Sequence, residues 1–438
     1  MVRFNRHKKT HQTNQEEFFV RNITTNIGIL KRTIFTLCKK ISDGTKRPFQ
    51  KFTADVCFGV LSSNSCVISD IAQALQEDTQ KINTIERLAR NLSNGIPETA
   101  QDNYLNTAKK YLPENIVVHI DDSDVVKPCG RAFEGIGRVR DGSRSTEARS
   151  IMGNGYYVTE ATALTKSSHP VSVFSEIWST ESAAFTSGGA FEYTKKVILA
   201  CTAKLGHVTF VMDRGYDDND VFRLLEQQKQ NYVIRLKLNR KIRVNGKKFS
   251  VDELTAKYKG RYATKVIYHG RVRKAKLTAV KGCLSGLNQP LSIILIFGLS
   301  DHPMVLATNL RTDTKNHLIA AMRHYFSRWR IEEYFRCKKQ MFGFENFRVR
   351  SLTAINSLNF FLAVCMLLLA IIRETSEKNM HFKICIESAS PIKPRVFFFY
   401  YRLADGLHQL LMKSRTGIRG YFKPLRPNQR QLIIRGFC

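Results

Sequence analysis

The stretch VTFVMDRGYDDNDVFRLLEQQKQNYVIRLKL, residues 208–238, decides the class of fold. It opens with a β-branched and apolar run that closes at Asp213, continues through VFRLLEQQKQ, whose composition suits a helix, and ends in YVIRLKL, where apolar and basic side chains alternate. A strand, a helix and a strand in that order describe an α/β or mixed sheet rather than an all-helical domain. Working outward, IVVHID from Ile116 and YYVTEATAL from Tyr156 read as strands upstream, and SIILIFGL and MVLATNL as strands downstream.

The whole chain has 438 residues, 43% of them apolar, which supports real hydrophobic cores and excludes a disordered tail protein or a small stapled scaffold. Its 69 Lys and Arg against 37 Asp and Glu leave a formal charge of +32, and self-repulsion of that size points to a polyanion, with nucleic acid foremost. The charge falls in separate blocks: 12 basic residues against 3 acids in residues 1–52, 15 against 2 in residues 235–276, and ten against one from Lys393 onward. Blocks spread in this way do not suit a membrane anchor. The apolar run Ser357 to Ile372 falls short of the roughly 20 residues a spanning helix needs, so it reads as a buried core helix. Ten scattered cysteines without a C-x-x-C pair or zinc-ligand spacing read as reduced thiols, and the polar, basic N-terminus lacks the apolar core of a secretory signal. The expected location is the cytoplasm, in association with the nucleoid.

Finer organisation follows from local signals. Apolar residues from Val67 to Leu92 recur at spacings of three, four and seven, as in an amphipathic helix or helix pair. Asn245-Gly246 between KIRV and KKFSV signals a two-residue hairpin, and the surrounding residues read as a basic β insertion. Thr312 or Asp313 can cap a long helix that runs to about Gly343. The C-terminal tail, with Pro394, Pro424 and Pro427, reads as an irregular basic surface.

Three carboxylates stand out by position: Asp122 and Asp213 close β-branched strands, and Glu332 lies on the long helix. Carboxylates at strand ends and on a neighbouring helix can converge on divalent cations, which demand oxygen ligands and keep sites for water and phosphate. Tyr325, Arg328, Glu332 and Lys339 are spaced 3, 4 and 7 apart, which places all four within roughly 60° on one helical face. Such a face could hold metal and phosphate, or it could be a solvated face with an ordinary Arg-to-Glu pair. Asp121 competes with Asp122 for the first position; Asp122 is preferred for its parity with Val118 and Ile120 in the strand.

The string YFSRWRIEEYFRCKK, residues 325–339, fits the Y-(2)-R-(3)-E-(6)-K signature and so resembles the DDE transposases of the bacterial insertion-sequence-four family. IVVHIDDSD resembles that family's first-aspartate strand and VTFVMDRGYDD its second, so that the likeness covers roughly Ile116 to Ile372. The resemblance implies an RNase H-like core interrupted by a β insertion ahead of the glutamate-bearing helix. It implies that Asp122, Asp213 and Glu332 bind two Mg²⁺ ions, replaceable by Mn²⁺, and that Tyr325, Arg328 and Lys339 hold phosphates of double-stranded DNA. It also implies a homodimer in the DNA complex. Relatives that cut through hairpin ends use a Trp near the end of the insertion, where HPMVLATN has none.

The expected fold is therefore mixed α/β with five parts: a helical, basic DNA-binding region over 1–110, the first part of the core over 111–235, a basic β-rich insertion over 236–311, the glutamate-bearing and following apolar helices over 312–375, and a basic region over 376–438. The expected function is a cut-and-paste transposase that binds terminal inverted repeats, cleaves the ends and transfers the 3′-hydroxyls to target DNA. The alternatives are an RNase H-like nuclease or resolvase that cuts without joining, and a transposase-derived DNA-binding protein whose catalysis has lapsed.

Overall fold

The computed structural model describes residues 6–423 apart from 143, 147–148, 269–270, 376–379, 393–395 and 397, and over 6–22 it describes the helical backbone alone. In chain order the first elements are helices α1 (Arg6–Ile41), α2 (Arg47–Ser63), α3 (Ile68–Leu75), α4 (Lys81–Ser93) and α5 (Glu98–Lys109). Strands β1 (Val117–Val126), β2 (Gly137–Arg140), β3 (Met152–Leu164) and β4 (Pro170–Trp178) lead to α6 (Ala183–Leu205), β5 (Thr209–Met212), α7 (Asn219–Gln227) and β6 (Asn231–Arg235). The next group is β7 (Lys241–Val244), β8 (Lys247–Ser250), α8 (Val251–Lys257), β9 (Tyr262–Tyr268), β10 (Arg271–Leu284), β11 (Leu291–Phe297) and β12 (Met304–Thr308). Five helices follow among the described residues: α9 (Lys315–Ser327), α10 (Trp329–Phe342), α11 (Leu352–Glu374), α12 (Met380–Ser388) and α13 (Tyr400–Leu411). Two compact units result, one built from residues 1–110 together with 337–438 and the other from residues 111–336.

The unit of residues 111–336 is organised by one sheet of twelve strands in the order β2-β3-β1-β5-β6-β12-β11-β10-β7-β8, with β4 on β3 and β9 on β10. β1, β5 and β6 run parallel, whereas β3 and β4 continue antiparallel on the other side of β1. Three antiparallel strands followed by two parallel ones form an RNase H-like core, and β7 to β12 extend the same sheet as the insertion. Alternation along each strand sends side chains to opposite faces. Val118, Ile120, Phe210 and Met212 pack with Val197, Val221 and Phe222 of α6 and α7 on one face. Val117, Val211, Val233 and Leu306 pack with Leu318, Ala321, Met322 and Tyr325 of α9 on the other.

Several local expectations meet the structure directly. Asn245 and Gly246 take φ of 48° and 77°, the left-handed pair a two-residue hairpin requires between β7 and β8. Val67 to Leu92 is a helix pair, α3 and α4. The long helix starts later than expected because Thr314, rather than Thr312 or Asp313, accepts the His317 amide as its cap. Its turns tighten at Arg328, where α9 passes into α10, and it stops at Gly343, whose φ of 59° ends the helical run. Within the glycine-bearing stretch FEGIGRVRDGS, GRVR forms edge strand β2 on β3.

In the helical unit, α11 packs against α2, α4 and α13. At 23 residues it is long and apolar enough to cross a membrane, which corrects the length estimate made from its uninterrupted apolar run: the helix continues in both directions through polar residues such as Thr353, Asn356 and Arg373. Its burial is that of a core helix, since sixteen of its residues are buried within the unit. The C-terminal region is not irregular throughout. Leu403, Leu407, Leu410 and Leu411 bury one face of α13, an amphipathic pattern masked by the basic count, while residues 424–438, with Pro424 and Pro427, lie outside the described residues. Asp55 of α2 is fully buried between Arg87 at 2.9 Å and Arg419 at 2.7 Å, and Glu77 pairs with the same two arginines.

Leu318 is 1% exposed at the centre of the α9 contact with the sheet, so Leu318→Ala should cost about 2–5 kcal/mol, read as a lowered denaturant midpoint with an unchanged slope.

Candidate active site where β1 and β5 part

β1 and β5 are parallel neighbours in the register Ile120 to Met212, so Asp121, midway along β1, and Asp213, just past the end of β5, lie side by side where the pairing of the two strands stops. Asp213 follows the parity of Val211 and Asp121 that of Val117 and His119, which directs both to the face covered by α9. There the helical residues meet them. Tyr325 donates its hydroxyl to Asp213 Oδ1 at 3.0 Å. Arg328 donates from Nη1 to Asp121 Oδ2 at 2.8 Å and from Nη2 to Glu332 Oε1 at 2.5 Å, so that one guanidinium spans two carboxylates.

Asp122 is placed differently. Parity with Val118 and Ile120, the reason it was preferred as the first carboxylate, aims it at the face covered by α6 and α7. Its carboxylate accepts from Thr159 Oγ1 at 2.5 Å and from Tyr216 OH at 3.2 Å, and Trp178 Nε1 donates to Thr159 at 2.7 Å. The structure therefore joins Asp121 to Arg328 and Glu332 and holds Asp122 in a separate network. Lys339, the fourth residue of the helical signature, belongs to the helical unit and pairs with Glu345 Oε1 at 2.8 Å.

The electrostatics follow the same division. Burial pushes Asp121 up to about 7; Arg328 opposes this, while the charges of Asp122, Glu332 and Asp213 add to it. Burial also pushes Asp213 upward, but the Arg214 backbone amide, Arg328 and the Tyr325 hydroxyl outweigh it and hold Asp213 below the usual carboxylate range. Burial raises Tyr325 and the charge of Asp213 adds to the effect, so the phenol remains a neutral donor. Burial would weaken the charge on Arg328, but its carboxylate neighbours more than restore it.

Three contributors escaped the sequence reading. His119 is fully buried beneath Asp121, is lowered to about 3 chiefly by burial, and is therefore neutral; its Nε2 lies 2.8 Å from Ser327 Oγ, one residue before Arg328. Its parity with Asp121 was the available signal. Thr159 and Tyr216 come from β3 and the turn after β5, and only the β1–β3 pairing of Asp122 with Thr159 reveals the first.

Among the described residues no group of three or more His, Cys, Asp or Glu side chains is gathered so as to hold a metal ion. The donor chemistry of Asp121, Asp213 and Glu332 suits a hard divalent cation, which takes oxygen ligands. Their present arrangement is closed by the Arg328 guanidinium.

Residues 189–369 match the family model described as the transposase DDE domain, a span that contains Asp213, Tyr325, Arg328, Glu332 and Lys339. The match supports a DDE transposase as the class of protein, a class of nuclease and transposase enzymes that act on DNA and typically use divalent metals. No curated protein matches the chain.

Because the folded state raises Asp121 to about 7, this carboxyl binds more protons folded than unfolded between about pH 4 and 7, and its own contribution to stability is lost as pH rises through that window. In chelator, Asp121→Asn should therefore melt higher than the unsubstituted protein at pH 8, by on the order of 4 kcal/mol at most, and should match it near pH 4. Thermal melts across this range read the difference.

Proposed function

We propose that this protein is a cut-and-paste transposase of the insertion-sequence-four type. It would bind terminal inverted repeats of double-stranded DNA, hydrolyse the phosphodiester at each end and transfer the freed 3′-hydroxyls to target DNA, working as a homodimer in the DNA complex. The observation that carries this reading is the convergence of Asp121, Asp213 and Glu332 around Arg328 where the pairing of parallel strands β1 and β5 stops. The match to a transposase DDE domain over residues 189–369 supports it independently.

Asp121, Asp213 and Glu332 are the carboxylates that would hold the divalent ions, two Mg²⁺ or Mn²⁺ in this reading, with Asp121 replacing Asp122 as the first ligand. Bound there, such ions supply Lewis acidity and an activated water. Tyr325 fixes the rotamer of Asp213 through its hydroxyl. Arg328 bridges Asp121 and Glu332, and its five donors suit a phosphate once it turns from them. His119, held neutral, steadies Ser327 and with it the turn that presents Arg328. In cleavage, the oxygen of water adds to phosphorus while the strand leaves with a 3′-hydroxyl. In transfer, that hydroxyl oxygen adds to a target phosphorus and displaces the target's own 3′-oxygen.

The test combines cleavage of duplexes carrying the element's ends with joining of pre-cut ends. Asp121→Ala, Asp213→Ala and Glu332→Ala should each lower Mg²⁺-dependent cleavage by at least about a thousandfold while duplex binding persists, whereas Asp122→Asn should retain most of it. Cleavage without joined product would favour a nuclease, and full activity in Asp121→Ala with loss in Asp122→Asn would return the first position to Asp122.

A further inference from the structure

β9 and β10 form a two-stranded antiparallel ribbon in which, among the described residues, β9 is an edge paired with β10 alone. Tyr262, Val266 and Tyr268 on its inner face pack against the apolar cluster beneath α9. The outer face has a different composition. Ile267 and Val272 are direct cross-strand partners, each 70% exposed, and the next outward-facing row sets Lys265 directly opposite Lys274. Lys276 faces Ala263 in the row after that, and Phe297 of β11 lies beside Lys276. These lysines, Ala263 and Phe297 border a groove of about 530 Å³.

Two features of this face are costly unless a ligand covers them. Like charges directly opposite one another destabilise an antiparallel pair, and among the described residues none of the three lysines has an ion-pair partner. An apolar pair standing clear of the fold keeps its surface in water at a cost that burial would remove. A polyanion with an apolar interior answers both, and a DNA duplex is such a partner: phosphates outside, base pairs inside. A two-stranded ribbon fits a groove, and isoleucine is among the side chains that wedge against base steps. A second copy of the chain fits poorly, because the edge strand carries Lys265 and pairing of copies would oppose further like charges.

We infer that the outer face of the β9–β10 ribbon grips duplex DNA, with Lys265, Lys274 and Lys276 on phosphates and the Ile267–Val272 pair pressed into the groove as an apolar wedge. The inference rests on the reading of this protein as a DNA-processing enzyme and specifies one surface that such an enzyme uses.

The experiment uses the full chain and a DNA duplex labelled at its two ends with a fluorescence donor and acceptor, without divalent metal. The combined variant Lys265→Ala, Lys274→Ala, Lys276→Ala should weaken binding by about tenfold or more and reduce the slope of log affinity against log salt by roughly 2 to 3. It should melt no lower than the unsubstituted protein, since an opposed pair of charges is removed. The combined variant Ile267→Ser, Val272→Ser should weaken binding by roughly three- to tenfold at an unchanged salt slope and lower the energy transfer that reports bending. An unchanged slope in the lysine variant overturns the inference. So does a serine variant that binds and bends the duplex as before, or one whose only change is a smaller sedimenting species without DNA, which would assign the face to a second copy. If the unsubstituted protein fails to bind any duplex, the proposed function itself falls; if it binds while both variants match it, only this surface does.

Discussion

The contact on which the site depends is one guanidinium held between two carboxylates. Asp121 and Glu332 come from a strand and a helix more than two hundred residues apart, and Arg328 joins them with bonds of 2.8 and 2.5 Å. Burial displaces Asp121 upward even with the arginine in place, and the repulsion of its acidic neighbours adds to that displacement. The geometry is therefore poised: the negative charge gathered by the fold is only partly neutralised from within. The packing of α9 on β1, β5, β6 and β12 keeps this arrangement in register, because Leu318, Ala321, Met322 and Tyr325 form one apolar stripe that sets where the following turn presents Arg328.

The helical unit relies on a related device in a buried setting. Asp55 lies in its interior with Arg87 and Arg419 on either side and Glu77 closing the ring. Burial still pushes Asp55 upward despite both arginines, so the network holds helices α2 and α4 and the segment after α13 in one arrangement more than it adds net stability. Lys31 plays a similar part, donating to the backbone carbonyls of Thr416 and Gly417.

Much of this was legible in the sequence because the relevant signals are local. The runs ending at Asp121 and Asp213, the Asn245-Gly246 turn and the stop at Gly343 each follow from residues adjacent in the chain. Parity with Val118 and Ile120 shows that Asp122 faces a core, but not which core carries the signature helix. That choice is fixed by α9 crossing one face of the sheet and α6 with α7 the other, which no local pattern contains. The same holds for Thr159 and Tyr216, brought to Asp122 by pairing and by a turn. Buried partners of α11 were equally invisible, since an apolar run states that it is covered without stating by what.

The helical unit is made from both ends of the chain, with the 111–336 unit between them. A ribosome therefore releases α1 to α5 long before α11 and α13 exist, while every strand of the sheet emerges in one uninterrupted passage. The sheet-bearing unit can mature during synthesis, but the helices made first must wait for their partners, with Phe52, Phe58 and neighbouring side chains still exposed. A message cut short after the glutamate-bearing helix would leave those helices without their closing half, a natural substrate for chaperones and proteases rather than a partial enzyme.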